Sequence, residues 1–154
     1  MNIMKYNFYS FALVLLFLMS CKTSSSSTSA QKAEEIFSLN TTSCMGPCPV
    51  FELSLYGDKS LVFNGKENTE VSGKHEVVLT DEQFEALLGI IESADWLSLD
   101  NEYKTNMMDL PTQKFTYNRK GISKNVSRYG AGPESIANMS DTILTFVQEQ
   151  VFNK

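Results

Sequence analysis

Alternation of apolar and polar residues marks the strands of this chain. Val50 to Tyr56 is the plainest case, with Phe51, Leu53 and Leu55 on one side and Val50, Glu52 and Ser54 on the other. Ile36 to Thr42 reads as a strand before it, placing Phe37 and Leu39 on one face. Gly57-Asp58-Lys59-Ser60 is a turn, and Leu61 to Asn64 returns as its hairpin partner. After a second turn, Gly65 to Asn68, a fourth strand is expected over Thr69 to Leu79, bent at Gly73. The period then changes. Thr80 and Gln83 fit a capping box, Asp81 and Glu82 suit a first helical turn, and Phe84, Leu87, Leu88 and Ile91 share one helical face. Trp96, Leu97 and Leu99 follow as a hydrophobic return, and Asp100 to Pro111 reads as a long loop. Gln113 to Asn118 and Ile122 to Arg128 form a second hairpin around Arg119-Lys120-Gly121. A last helix is expected with Pro133 at its first position, where a missing N–H does no harm. Ile136, Met139, Ile143, Phe146, Val147 and Gln150 would lie along one side of it.

Four strands, a helix, two strands and a helix predict an α+β fold. The expectation is a mainly antiparallel sheet of about six strands, order ββββαββα, with two helices packed on one face. The whole would be a single globular domain over 34–154.

The first fifth of the chain follows other rules. Phe11 to Met19 is an unbroken apolar run of nine residues, the length of a signal-peptide core and about half a membrane span. Leu18-Met19-Ser20-Cys21 resembles the lipobox of bacterial lipoproteins. That resemblance implies a signal peptide over 1–20, cleavage before Cys21, a diacylglycerol thioether on its sulfur and acylation of its amine. Two or three acyl chains make attachment durable where one does not. Lys22 to Gln31 carries seven Ser or Thr in ten, so 21–33 reads as a lipidated cysteine and its tether. Lys22 rather than an acid after the cysteine implies the outer membrane, with the domain facing the periplasm.

Composition narrows the chemistry. The 154 residues carry a net charge of −5 with no basic cluster, which argues against a nucleic-acid partner. One histidine, His75, in a strand between Lys74 and Glu76, offers little for acid–base work. No nucleophile elbow, zinc-protease helix, phosphate loop or dinucleotide fingerprint is present, so no catalytic residue, metal ligand or cofactor is assigned. Setting Cys21 aside leaves Cys44 and Cys48 in Thr42-Ser43-Cys44-Met45-Gly46-Pro47-Cys48-Pro49. In an oxidising compartment such a pair reads first as a structural disulfide across a Gly-Pro turn. Exchangeable redox thiols are the alternative, although the spacing is C-x3-C and Pro49 leads into a strand rather than a helix. A metal clip would need further ligands that the spacing does not supply.

Residues 36 to about 150 resemble an uncharacterised bacterial domain, domain of unknown function 6438. The matching residues are Thr42 to Phe51, Tyr56-Gly57-Asp58, Gly65, Gly73, Leu97, Tyr103, Asp109-Leu110-Pro111-Thr112, Tyr129 and Pro133. Lys59 departs from the pattern, where relatives tend to carry Gly. The resemblance implies a small exported or lipid-anchored domain and brings no activity with it. Long loops in compact domains are often functional, so Tyr103, Asp109, Pro111 and Thr112, with the Cys44–Cys48 turn, form the candidate surface for a ligand or partner. The reading is a lipid-anchored bacterial envelope protein acting as a non-enzymatic binding module. Its partners would be the membrane, through Cys21, and an envelope protein or ligand. A thiol-disulfide redox protein using Cys44 and Cys48 is the rival.

Overall fold

The computed structural model describes residues 33–153. The expected signal peptide over 1–20, Cys21 and nearly all of the expected tether therefore lie outside the described residues. Seven strands form one sheet: β1 (Glu35–Thr41), β2 (Val50–Tyr56), β3 (Ser60–Glu67), β4 (Gly73–Val78), β5 (Glu102–Lys104), β6 (Thr112–Arg119) and β7 (Ile122–Tyr129). Their spatial order is β4-β3-β2-β1-β6-β7-β5. Every pairing is antiparallel except β5 with β7. The fold is α+β as expected, with seven strands in place of six.

The extra strand is β5, three residues inside the span expected to be loop. Its composition, Glu-Tyr-Lys, has no apolar alternation to announce it. Edge pairing to β7 makes it a strand: Tyr103 stands opposite Arg128, and the Thr105 N–H donates to the Tyr129 carbonyl at 3.0 Å.

β1 occupies the centre, paired with β2 on one side and β6 on the other. Its Phe37 and Leu39 are fully buried, and Leu53 and Phe115 flank Leu39 in register. Burying each such side chain contributes about 1.5–3 kcal/mol. Against this face packs α1 (Asp81–Glu92), burying Phe84, Leu87, Leu88 and Ile91. The Thr80 cap is formed in both directions: Gln83 N–H donates to Thr80 Oγ1 at 3.2 Å, and Thr80 N–H to Gln83 Oε1 at 2.9 Å. Behind α1, Trp96 is buried and stacks on Tyr117 at 4.9 Å, with its indole N–H on the Ile91 carbonyl. Leu99 is buried with it, but Leu97 is 74% exposed and takes no part in the core.

The C-terminal helical stretch differs from the single helix expected. Pro133 is the residue before the helix, with extended backbone, and α2 (Glu134–Ala137) lasts one turn. Asn138, a turn residue at φ −99 and ψ −5, interrupts the helix, α3 (Met139–Phe146) follows, and Val147–Phe152 winds in a wider π-type turn. Ile136, Met139, Ser140 and Ile143, one face at helical spacing, are buried on both sides of the interruption. The wide turn shifts the phase, so Gln148 is buried and Gln150 is exposed. Phe152 then meets Phe63 and the His75 ring, at 5.8 and 5.1 Å. His75 Nε2 also contacts the Ser72 carbonyl at 2.9 Å, which makes the chain's one imidazole a half-buried packing residue.

The fourth strand begins at Gly73, not Thr69. Residues 69–72 fold back over β3 so closely that a Cβ on Gly65 would stand 2.0 Å from the Val71 oxygen. Gly73, at φ +82, makes the following bend with open space around it. Lys59, where Gly was expected, holds a left-handed φ of 69 in its hairpin, and its ammonium pairs with Asp81.

Gly65→Ala should cost about 3 kcal/mol or more, because backbone has to move. Gly73→Ala should cost about 1 kcal/mol, the backbone term alone. Urea unfolding of the two variants checks the ranking. A second expectation concerns Glu92, which receives hydrogen bonds from Arg119 and from Lys120, the latter at 2.8 Å, at the β6–β7 turn. Burial works against its charge, but these bonds outweigh it and hold the carboxyl below its ordinary value near 4.5. A depressed folded pKa gives stability that is present above the unfolded value and lost as pH falls through the folded one. Glu92→Gln should thus lose about 1 kcal/mol at pH 7. Denaturation at pH 7 and at pH 3 should show the gap between variant and wild type closing below about pH 4.5.

Candidate functional site

At one end of the sheet, β1 stops, β2 starts and β6 starts together, and three loops are laced across that end. Thr41 holds both ends of the first. Its hydroxyl donates to the Pro49 carbonyl at 2.8 Å and accepts the Phe51 N–H at 3.0 Å. Within the loop so closed, Cys44 and Cys48 are joined, with Cα atoms 5.8 Å apart and the Gly46 N–H on Cys44 Sγ. Asn68, from the β3–β4 connection, donates to the Cys48 carbonyl at 3.1 Å.

The segment before β6 completes the lacing. Asp109 stands in left-handed conformation, φ 65, and its carbonyl accepts the Met45 N–H at 3.3 Å. Thr112 and Thr42 exchange bonds: Thr42 N–H to the Thr112 carbonyl at 3.0 Å, and Thr112 N–H to Thr42 Oγ1 at 2.9 Å. Asp109, Pro111 and Thr112 are therefore brought to the disulfide loop. Tyr103 is not. It sits on β5, packs against the edge of the core, covers Gly132 and accepts the Asp100 N–H on its hydroxyl at 2.8 Å. Tyr103 thus makes structural contacts and also lines a separate cleft with Thr112.

Beneath the loops lies a cleft of about 460 Å³. Pro47, Pro49, Pro111 and Phe51 make apolar walls, and Gln113, Arg128, Ser140 and Asp141 make a polar floor. Gln113 and Arg128 face each other across β6 and β7. Arg128 Nη1 donates to Gln113 Oε1 at 2.8 Å, Gln113 Nε2 donates to Ser140 Oγ, and Ser140 Oγ lies 3.4 Å from Asp141 Oδ1. Among the described residues, no three His, Cys, Asp or Glu side chains gather as a metal site.

A family model described as a domain of unknown function, DUF6438, matches residues 35–147. The chain belongs to this family. No curated protein matches it. The matched span of the DUF6438 domain runs from the first residue of β1 to the first of the π-type turn, so all seven strands and the cleft fall within it.

Four cleft residues of the DUF6438 domain escaped the sequence reading. Gln113 shares its face with Phe115 and Tyr117, and Arg128 shares its face with Val126, so both are polar residues in inward register. A break of that kind in otherwise apolar alternation was the available signal. Ser140 shares the helical face of Ile136, Met139 and Ile143, so it too is a polar residue in inward register, whereas exposed Asp141 carried no such signal.

No helix follows Cys48; β2 does, so no helix N-terminus lowers a thiolate pKa there. Replacing both cysteines by serine should cost about 2 kcal/mol, the loop-entropy value for so short a ring. Urea unfolding checks it. The bond should also have a reduction potential below about −300 mV, and a value near −270 mV or above would favour exchangeable thiols.

Proposed function

We propose that the chain is a lipid-anchored protein of the bacterial cell envelope whose DUF6438 domain is a non-enzymatic module that binds another envelope protein. One observation carries the binding reading. Met45, Met107 and Met108 are 83%, 59% and 82% exposed, on two loops bonded to each other through Met45 and Asp109. Singly exposed apolar side chains are ordinary, but three methionines on two loops bonded to each other offer a contact surface, and methionine adapts to varied partner surfaces. The lipobox-like Leu18 to Cys21 supports the anchor, and the Ser/Thr run behind it supports a tether reaching about 15–20 Å. The domain would then work close above the inner face of the outer membrane.

Two measurements test this. Intact-mass analysis of full-length protein from membranes should show acylation on Cys21, absent in Cys21→Ala. A photocrosslinker replacing Met108 should capture a discrete partner in intact envelopes. The band should disappear with Met45→Glu and Met107→Glu at unchanged melting temperature, and a crosslinker at Thr116 should give none. A Met108 band indifferent to those substitutions would refute the proposed surface.

A further inference from the structure

The floor of the cleft holds a guanidinium only half in use. Arg128 spends Nη1 on Gln113, whose other end is held by Ser140. That fixes the guanidinium plane by one corner. Its Nε is buried and has no hydrogen-bond partner, and among the described residues Arg128 enters no ion pair. The edge not bonded to Gln113, Nε with Nη2, carries two parallel N–H groups whose spacing matches the two oxygens of a carboxylate. A desolvated donor without a partner is costly, so a ligand that satisfies it gains an interaction that water was not supplying.

The surroundings narrow the ligand. Pro47, Pro49, Pro111 and Phe51 offer apolar contact beside the guanidinium, and the volume of about 460 Å³ suits two or three residues of peptide. Asp141 on the same floor opposes a doubly charged anion such as phosphate. We infer that Arg128 is a carboxylate-binding residue, and that the cleft captures the C-terminal carboxylate of a peptide chain whose last side chains are apolar. Chain ends are a recurrent target of such sites. The inference rests on reading this end of the molecule as its binding end, and it adds what the partner presents.

The test uses ¹⁵N-labelled full chain in detergent micelles. The titrants are N-acetylated pentapeptides with apolar last residues, prepared with a free C-terminal carboxylate or with a C-terminal amide. The carboxylate set should shift the Arg128 Nε–H resonance, and the amide set should leave it unmoved. Arg128→Lys keeps the charge but loses the two-pronged geometry, so it should bind at least tenfold more weakly at the same melting temperature. Asp141→Asn should bind severalfold more tightly. An equal response to both sets, no response, or undiminished binding by Arg128→Lys would overturn the inference. Crosslinking through a photocrosslinker at Met108 that survives in Arg128→Lys would overturn it alone, leaving the methionine surface standing.

Discussion

Everything in this domain depends on β1 being paired on both sides. It is the strand that joins a β2–β3–β4 meander to the β6–β7 hairpin, two units separated in sequence by α1 and the Trp96 segment. Neither unit has another ladder to the other. Phe37 and Leu39 fill the seam from within, and Trp96 spans it, in edge contact with Phe37 and Phe115 and stacked on Tyr117. The double pairing also decides where the site is. Because β1, β2 and β6 end together, the loops leaving them share one rim, and Thr41, Thr42 and Thr112 tie that rim with hydroxyl and backbone bonds.

What the sequence made legible follows from which interactions are local. The helix from Thr80, the Phe51–Leu53–Leu55 face and the two hairpins are set by neighbours within a few residues, and their patterns survive into the structure. β5 was illegible because edge pairing with a distant strand, not its own composition, makes it a strand. The break at Asn138 and the wide turn after Phe146 have no marker in the local pattern, and Gln148 is buried and Gln150 exposed once the wide turn has shifted the phase. The start of β4 was misplaced because Gly65 admits the 69–72 segment at a distance no other residue would allow.

The site was legible to a similar depth. Cys44 and Cys48 could be paired from spacing and compartment, and Asp109, Pro111 and Thr112 could be singled out as a loop in a compact domain. Their contact with one another is long-range and shows only in three dimensions. Tyr103 lies on an edge strand, where its hydroxyl accepts the Asp100 N–H and its ring covers Gly132, and it meets the set through the cleft it lines with Thr112. The residues with the most chemical content, Gln113 and Arg128, hid inside strands. There, a polar side chain in inward register marks the place where the core ends and a cleft begins.

If β1 is the joint that makes one rigid platform of two units, the sheet opens as a single body. Native-state amide hydrogen exchange of the full chain tests that claim most directly. The account predicts that amides of β1, β2 and β6 exchange with one common free energy, equal to that of global unfolding. Exchange of the β6–β7 hairpin at markedly lower free energy, while β2 and β3 stay protected, would contradict it. The two units would then be separable, and the rim would not be held by the sheet.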